Sequence, residues 1–417
     1  MLVGPARAWR KSSAPPPVVE QLFSLDNLEY AGSFRVPSRS DTPNNTFSWS
    51  GGCGMSYNPA GNGGAGSLFM SGTDEQSKIA EISIPEPDAR DDISISSLPT
   101  ATLLQSFFDA SEGDAEEINP YMPVVGSLVD GSDLYVCYSP FYSNELTAGH
   151  VKHSVNGSSS GHGGPYAIDV DYMGVSNKWV VGAMCHVPAH WQARLGGNAI
   201  VGSADRSMIQ SNSIGPAATS FNIEDLGAVS PVPCHHLLGY YHTPTPPYAD
   251  GPDYSIFNEA SKTDGVFIVN GLASILYVGS FGTGTLTGVE GQKSCYGPNT
   301  ADPGYIGNPQ DHVACYSPIG EDQSFYSYPY RPNIWGYSLE DLADVKSGAK
   351  RLDQLTPHLH AEFPLPAHWK PDVSESHYLL ACCIDNTSST KRLFVAHIDA
   401  EEFDSPLIHV YNIVVRA

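Results

Sequence analysis

Histidines are concentrated in long polar segments of the chain, and imidazole is the side chain best suited to acid–base chemistry near neutral pH. Residues 144–164 are rich in Ser, Gly and His and are predicted to form a loop. The histidines in this segment and soon after it are His150, His153, His162, His186 and His190. His150 and His153, three residues apart, suit a general base or a chelating pair. Because no carboxylate or third ligand follows at a diagnostic spacing, a solvated loop is favoured and no metal site is predicted.

A second polar segment, residues 231–254, is also predicted to be a loop and combines Cys with His and Tyr. In it, Cys234 directly precedes His235 and His236, and Tyr240 follows closely. A thiol beside an imidazole suits a zinc site or a Cys/His nucleophile. Adjacent residues of an extended chain face opposite sides, so His235 and His236 are not expected to bind one ion together. A structural role is therefore favoured for most of these side chains.

The third long segment, residues 282–329, leads into a run of aromatic residues that ends at Arg331. Aromatic rings stack on the faces of sugars, and Arg binds carboxylate or sulfate with two parallel hydrogen bonds. Trp191 and Arg194 offer the same combination of side chains. The predicted ligand-binding residues are Arg194, Arg331, Trp191 and Tyr328. Aromatic packing at the base of a loop is the equally weighted alternative.

If the protein is an enzyme, its candidate acid–base residues are His150, His153, His186, Tyr240 and Tyr330. In a polysaccharide lyase, His or Tyr would remove the proton alpha to a uronate carboxylate, and Arg would stabilise the enolate. The sequence contains no motif of a serine hydrolase, a P-loop enzyme, a dinucleotide-binding fold or a zinc protease, and no cofactor is predicted. A glycosidase pair cannot be chosen from 45 acidic residues.

Short strands in repeated groups must position these side chains. Residues 50–85 contain three apolar runs separated by Pro, Gly, Asn and polar residues, which predicts an antiparallel meander. Residues 378–414 are the clearest later copy. Repeats of about 50 residues predict an all-β protein, a β-propeller of six or seven blades with five as the alternative. A β-sandwich array is the other architecture considered.

The two ends of the chain have distinct predicted roles in this propeller. Residues 28–36 precede the first full meander and are expected to complete the last blade, which would close the ring. Residues 1–21 are expected to form an extended, Pro-rich arm, and residues 22–417 a single propeller domain. The long loops are expected on one face. Residues 339–347 are predicted to form a short helix that Gly348 ends.

Charge and cysteine content narrow the classes of partner. The net charge of −24 excludes nucleic acid and anionic membranes as partners, and no stretch is long enough to span a membrane. No apolar secretory signal is present, so we expect synthesis in the cytoplasm and a final place on a virion or another extracellular assembly after lysis. The eight cysteines are expected to be mostly free thiols, with Cys295 and Cys315 as one candidate pair.

Several segments together resemble a group of uncharacterised bacterial and phage proteins predicted to be propellers. The segments are AGSFRVP, CGMSYNP, SLFMSG, KIAEISIP, CHVPAHWQARLGG, SIGPAATSF and YPYRPNIWGYSLEDLADVKSG. The resemblance implies the fold and covers most of the chain after the arm, but implies no activity. A looser similarity, in fold and residue types alone, is to propeller polysaccharide lyases such as ulvan lyases, which use His and Tyr with a nearby Arg.

Two functions follow from these observations. In the first, the protein is a non-catalytic propeller on a larger assembly, most plausibly a phage virion, and its loop-rich face recognises a glycan or host surface. The residues Trp9, Arg10 and Lys11 would then dock the arm onto other protein subunits. In the second, the protein is a polysaccharide-cleaving lyase or hydrolase with the His, Tyr and Arg residues named above.

Overall fold

The computed structural model describes residues 20–42, 45–47, 54–73, 77–119, 122–140, 148–169, 177–202, 213–240, 256–257, 261–282, 315–316, 323–324, 330–366, 379–397 and 405–415. The strands are β1 (Leu28–Arg35), β2 (Met55–Asn58), β3 (Ser67–Ser71), β4 (Ile79–Ser83), β5 (Leu103–Phe108), β6 (Val124–Asp130), β7 (Asp133–Tyr138), β8 (His150–Ser154), β9 (Gly163–Tyr166), β10 (Met184–His186), β11 (Ala199–Val201), β12 (Ala218–Phe221), β13 (Cys234–Leu238), β14 (Lys262–Ile268), β15 (Ser274–Gly282), β16 (Cys315–Tyr316), β17 (Gln323–Ser324), β18 (Tyr330–Ser338), β19 (Leu359–Glu362), β20 (Leu379–Asp385), β21 (Lys391–His397) and β22 (Leu407–Ile413). The helices are α1 (Gly61–Gly64), α2 (Asp114–Ile118), α3 (Ala189–Leu195) and α4 (Leu339–Ser347). Short 3-10 helices lie at Leu25–Asn27, Arg39–Asp41, Ile95–Ser97, Ser159–Gly161, Asn177–Val180, Ile223–Asp225 and Leu352–Gln354.

The described strands form five antiparallel four-stranded sheets, which are the blades of a propeller. Blade 1 is β2–β5, blade 2 is β6–β9, and blade 3 is β10–β13. Blade 4 is β14, β15, β18 and β19, and blade 5 is β20, β21, β22 and β1. We call the first strand of each blade its hub strand. Each hub strand contacts the hub strands of both neighbouring blades, so the ring is closed.

The N-terminal strand closes the ring, as the sequence predicts. β1 pairs with β22 from Leu28 opposite Ile413 to Arg35 opposite Leu407, and so becomes the outer strand of blade 5. Phe34 in β1 is fully buried in the core between blades 5 and 1. The first and last parts of the chain therefore share one sheet, and the last blade has no missing strand.

The prediction of six or seven blades was wrong, and the five-blade alternative is correct for the described residues. A repeat of about 50 residues overestimates the number of blades, because long insertions lengthen the chain without adding a blade. Residues 283–329 separate two neighbouring strands of blade 4, and their described part holds only the short pair β16 and β17. Between blades 2 and 3, Asn177–Val180 is a 3-10 helix, and β10 begins at Met184.

Two segments predicted as loops contain strands. β8 lies within residues 144–164, and β13 lies within residues 231–254. The polar composition misled the prediction, because His150 and His153 are buried in β8. Partners outside the sheet make this burial possible, since Nε2 of His150 lies near the carbonyl oxygen of Val180 and Nε2 of His153 lies near Glu112. The helix predicted at residues 339–347 is present as α4 and ends at Gly348 in the left-handed conformation, and α3 ends in the same way at Gly196.

Glycine allows the hub strands to approach one another closely. A Cβ atom at Gly126 in β6 would lie 1.8 Å from the carbonyl oxygen of Gly182, and one at Gly265 in β14 would lie 2.4 Å from Sγ of Cys382. Larger residues at these positions would push neighbouring blades apart. Apolar clusters fill the spaces between blades and hold them together through the burial of aliphatic and aromatic side chains.

The antiparallel order of the strands gives the ring two distinct faces. Hub strands begin at one face, which we call the loop face, and end at the other, the turn face, where each hub strand turns back into the second strand of its blade. The connections β7–β8, β13–β14 and β15–β18, each of which includes part of one of the three long polar segments, leave and rejoin the strands at the loop face. Within the described ranges, no helix is long and apolar enough to cross a membrane.

Candidate functional site

A cavity of about 410 Å³ lies where the hub strands end at the turn face. All five hub strands, or the turns directly after them, supply lining residues, so the cavity occupies the central channel of the ring. Concave sites of this size, mostly apolar with a few polar groups, are typical of small-ligand binding. The site is therefore built by the fold itself rather than by a single loop.

The lining is arranged in two layers. In each blade an apolar residue of the hub strand is followed, two positions later, by a residue with a polar side-chain group, and residues two apart on a strand face the same side. The apolar layer is Met55, Leu128, Met184, Ile268 and Ile384. The polar collar is Tyr57, Asp130, His186, Asn270 and Asn386.

The polar collar is more exposed to solvent than the apolar layer. Met55 and Ile268 in the apolar layer are only 2% and 1% exposed. Asp130, His186 and Asn270 in the polar collar are exposed to solvent. The polar collar therefore surrounds the entrance, and the apolar layer lies deeper in the channel.

Hydrogen bonds between blades hold parts of the polar collar in place. His186 Nε2 lies 2.9 Å from the carbonyl oxygen of Val129 and donates to it, which joins blade 3 to blade 2. In the neutral ring Nδ1 is then the acceptor. Asn386 donates to the carbonyl of Ile268 at 2.8 Å and accepts from the backbone N–H of Asn270 at 3.1 Å, which joins blade 5 to blade 4.

Tyr57 is the aromatic member of the polar collar. Its ring stacks on Phe394 of blade 5 with centroids 6.0 Å apart. Burial raises the pKa of the Tyr57 hydroxyl, and the nearby negative charge of Asp385 raises it further. Tyr57 is therefore a neutral hydrogen-bonding group at physiological pH, and one of its faces is covered by protein.

Asp385 stabilises the turn that carries Asn386 of the polar collar. Its carboxylate is fully buried and accepts hydrogen bonds from the backbone and hydroxyl groups of both Thr387 and Ser388. Burial alone raises the pKa of Asp385, but the hydrogen bonds from Ser388 and Thr387 outweigh burial, so the pKa lies below its usual value. The charged carboxylate fixes the turn that carries Asn386.

The described lining of the cavity contains few ionisable groups. This described lining contains one carboxylate, Asp130, one imidazole, His186, and no Lys or Arg. Most glycoside hydrolases need a pair of carboxyl groups, and a lyase needs a cation near the uronate carboxylate. Within the part of the chain that the structure describes, no group of three or more His, Cys, Asp or Glu is placed to hold a metal ion.

Of the predicted acid–base residues, His186 alone lies in this lining. His150 is 1% exposed, its Nε2 lies 2.7 Å from the carbonyl oxygen of Val180, and burial lowers its pKa to about 4. His153 is fully buried, with Nε2 3.0 Å from Glu112. Both belong to the third strand of blade 2, outside the cavity lining, and their catalytic role stays a prediction.

The two predicted tyrosines are core residues. Tyr240 donates to the carbonyl oxygen of Leu355 at 2.5 Å and lies 3.0 Å from the hydroxyl of Tyr337. Burial raises the pKa of Tyr240 well above its ordinary value, so it remains protonated. Tyr330, the first residue of β18, is fully buried. Neither residue belongs to the lining of the central cavity.

The structure brings Trp191 and Arg194 together in α3. The guanidinium group of Arg194 lies 4.5 Å from the centroid of the Trp191 ring and pairs with both carboxylate oxygens of Glu340. Trp191 Nε1 donates to Glu20 at 2.8 Å. These side chains therefore already have protein partners. Arg331 is half-buried in β18, opposite Phe281. Tyr328, Trp9, Arg10 and Lys11 lie outside the described residues.

The Cys–His–His run behaves as a structural element. His235 is exposed and His236 buried, which confirms that the two point to opposite faces of β13. Burial raises the pKa of Cys234 to about 12 and lowers that of His236 to about 4, so neither an activated thiolate nor an imidazolium is favoured. The described cysteines Cys137, Cys185, Cys234, Cys382 and Cys383 are free thiols, as expected. Cys295 lies outside the described residues.

Sequence reasoning missed most of the polar collar. Tyr57, Asp130, Asn270 and Asn386 each follow an apolar residue by two positions at the end of a predicted strand. That pattern, repeated in every blade at the end of its first strand, is the signal that would have found them.

Neither a family model nor a curated protein matches the chain. Among solved structures, one that it resembles is the α-L-arabinanase of Cellvibrio cellulosa in complex with arabinohexaose. The two chains are 10% identical, the match covers 83% of this chain and 87% of that chain, and the TM-score is 0.38. The propeller assignment of this chain rests on its own sheets. The resemblances to phage propellers and to ulvan lyases remain predictions.

Proposed function

We propose that the protein is a non-catalytic propeller that binds the end of a glycan chain in the central cavity at the turn face. The observation that carries this proposal is the polar collar, to which all five blades contribute one residue each. Sugar hydroxyl groups both donate and accept hydrogen bonds. The collar offers both kinds of group, since it combines a phenol, a carboxylate, an imidazole and two amides.

The rigidity of the site supports this reading. The collar residues lie at or just after the ends of hub strands, and hydrogen bonds between neighbouring blades hold the side chains of His186 and Asn386. A preformed site loses little conformational entropy when it binds a ligand. Cleavage of polysaccharide, the second function considered, is less favoured because the described lining holds one carboxylate and no cation.

Binding is tested by titrating the full chain with a panel of oligosaccharides in a calorimeter. Asp130→Ala and Asn270→Ala remove collar groups from exposed positions, and each is expected to weaken binding about 10-fold or more through lost hydrogen bonds. Glu117→Ala, which removes an exposed carboxylate on α2, is the matched control and should leave affinity unchanged. Failure of every oligosaccharide to bind, or equal affinity in the two collar variants and the wild type, overturns the proposal.

We further propose that the protein is displayed on a larger extracellular assembly, a phage virion component released by lysis, with the N-terminal arm contacting other subunits. The support is local: the described start of the arm is fixed to α3 through Glu20, whose carboxylate lies 3.0 Å from His190 and 2.8 Å from Trp191 Nε1. Deleting residues 1–19 and measuring incorporation into particles tests the arm, and normal incorporation overturns this part of the proposal.

A further inference from the structure

We infer that the group entering the cavity is an uncharged sugar residue that carries an apolar substituent, such as an N-acetyl or O-methyl group. This inference rests on the proposed glycan-binding function and adds the class of ligand. It follows from the order of the two layers along the channel and from the charges of the lining residues.

The apolar layer determines what enters first. Each hub strand places its apolar lining residue two positions before its collar residue, and two residues of strand span about 7 Å. A ligand that makes hydrogen bonds at the collar therefore meets Met55, Leu128 and their counterparts about 7 Å deeper. A methyl-bearing substituent fills that depth and gains from leaving water.

A deeply placed hydroxyl group has poor partners by comparison. The polar side chains at the depth of the apolar layer are Ser56, which already accepts a hydrogen bond from Ser127 at 3.1 Å, and the thiols of Cys185 and Cys383. Thiols are weak donors and acceptors. A buried hydroxyl that loses its water without a good partner opposes binding, so an unsubstituted sugar is disfavoured.

Charge excludes anionic sugars from this cavity. The ionisable groups of the polar collar are Asp130 and His186 together with the neutral phenol of Tyr57, and the described lining provides no Lys or Arg. The whole chain carries a formal charge of −24. A uronate or a sulfate would face the Asp130 carboxylate without a compensating cation, which opposes binding. The anionic polysaccharides suggested by the Arg residues of the sequence therefore do not suit this site.

Matched ligand pairs test the inference on the unmodified protein. Neutral trimers of glucose and of galactose are compared with the corresponding N-acetylated trimers, which differ only in the acetamido group, and with a trimer ending in glucuronate. The acetylated trimer of at least one pair is expected to bind about 10-fold more tightly than its unsubstituted partner, since one buried methyl group distinguishes ligands to that extent. The glucuronate trimer is expected to bind most weakly.

Protein variants locate the effect. Ile384→Thr places a hydroxyl in the half-buried part of the apolar layer and is expected to reduce the preference for the acetylated trimer at least threefold, with the unsubstituted trimer little affected. Asp130→Asn is expected to improve binding of the glucuronate trimer relative to the wild type. Thermal unfolding of each variant confirms that it is folded.

The outcomes separate this inference from the function on which it rests. Equal affinity for both members of every pair, or tighter binding of glucuronate, overturns the inference while the proposed function stands. Absence of binding by all the trimers, while another oligosaccharide of the panel binds, overturns the inference alone. Absence of binding by every oligosaccharide overturns the proposed function itself. A preference for acetylated trimers that survives Ile384→Thr undiminished places the substituent elsewhere and also overturns the inference.

Discussion

Replacing His150 by Gln should remove a specific part of the acid sensitivity of the fold. His150 is buried in β8 and its pKa is lowered from 6.5 to about 4, chiefly because burial disfavours the charged ring. The unfolded chain therefore takes up a proton near pH 6.5, while the folded protein resists protonation until about pH 4. The stability that comes from the neutral ring is complete above pH 6.5 and is lost as pH falls towards 4.

The size of the effect follows from the shift. Each unit of pKa difference between the folded and unfolded states corresponds to about 1.4 kcal/mol. His150 therefore lowers the free energy of unfolding by about 3 kcal/mol between pH 6.5 and 4. His236 carries a similar shift and contributes a similar loss. Over this interval the wild type should lose stability through both histidines, whereas His150→Gln should lose it through His236 alone. The loss from these residues should therefore be about twice as large in the wild type as in the variant.

Urea unfolding at half-unit steps from pH 4 to 7.5 measures the free energy of unfolding against pH. Val151→Ala, at the neighbouring buried position of the same strand, is the control. It should lower the free energy of unfolding by about 2 kcal/mol at every pH through lost packing, without changing the slope. If His150→Gln shifts the curve in parallel, as the control does, the buried neutral histidine is not a source of the slope and the reasoning fails.

Three further predictions concern the turn held by Asp385, the closure of the ring by β1 and the contact of Glu20 with α3. Asp385→Asn should lower the free energy of unfolding at pH 7 by about 2 kcal/mol in urea titrations, because a charged acceptor for buried hydrogen bonds is lost. Since the pKa of Asp385 lies below 3.8, its contribution should persist above pH 3.8 and fall in more acidic solution, and the variant should lack that fall. Phe34→Ala should lower the free energy of unfolding by about 3–5 kcal/mol and should speed amide hydrogen exchange in β22 more than in β3. Equal acceleration in the two strands would contradict the role of β1 in closing the ring. Glu20→Gln should speed proteolysis near residue 20 but change global stability by less than about 1 kcal/mol, and unaltered proteolysis would show that Glu20 does not hold the arm.

The strands were predictable because they depend on local pattern. The apolar runs of the first meander, bounded by Pro, Gly and Asn, correspond to β2, β3 and β4, and the pairing of β1 with the last meander was also predicted. The blade count was not predictable, because the repeat length does not show how much of the chain is insertion within a blade, as residues 283–329 are. Only long-range pairing shows that β15 and β18 are neighbours.

The candidate site was missed in the sequence for a different reason. Tyr57 and Asn386 are far apart in the chain and become neighbours only because the ring closes on five blades. Each alone looks like an ordinary residue at the end of a strand. His150, by contrast, looked functional in the sequence because its surroundings are polar, and its place in the buried sheet depends on a carbonyl partner, Val180, that no local pattern reveals.

The contact of Glu20 with α3 influences the distance between the cavity and any surface that binds the arm. Glu20 is fixed to α3, and Pro188 and Ala189, at the start of that helix, line the cavity. Tether and cavity mouth therefore share one face of the ring. A fully extended chain spans about 3.3 Å per residue, so residues 1–19 would contribute about 60 Å to the distance between Glu20 and such a surface. Shortening the arm in steps would bring the cavity against the supporting surface, and a long glycan would lose access before a short one.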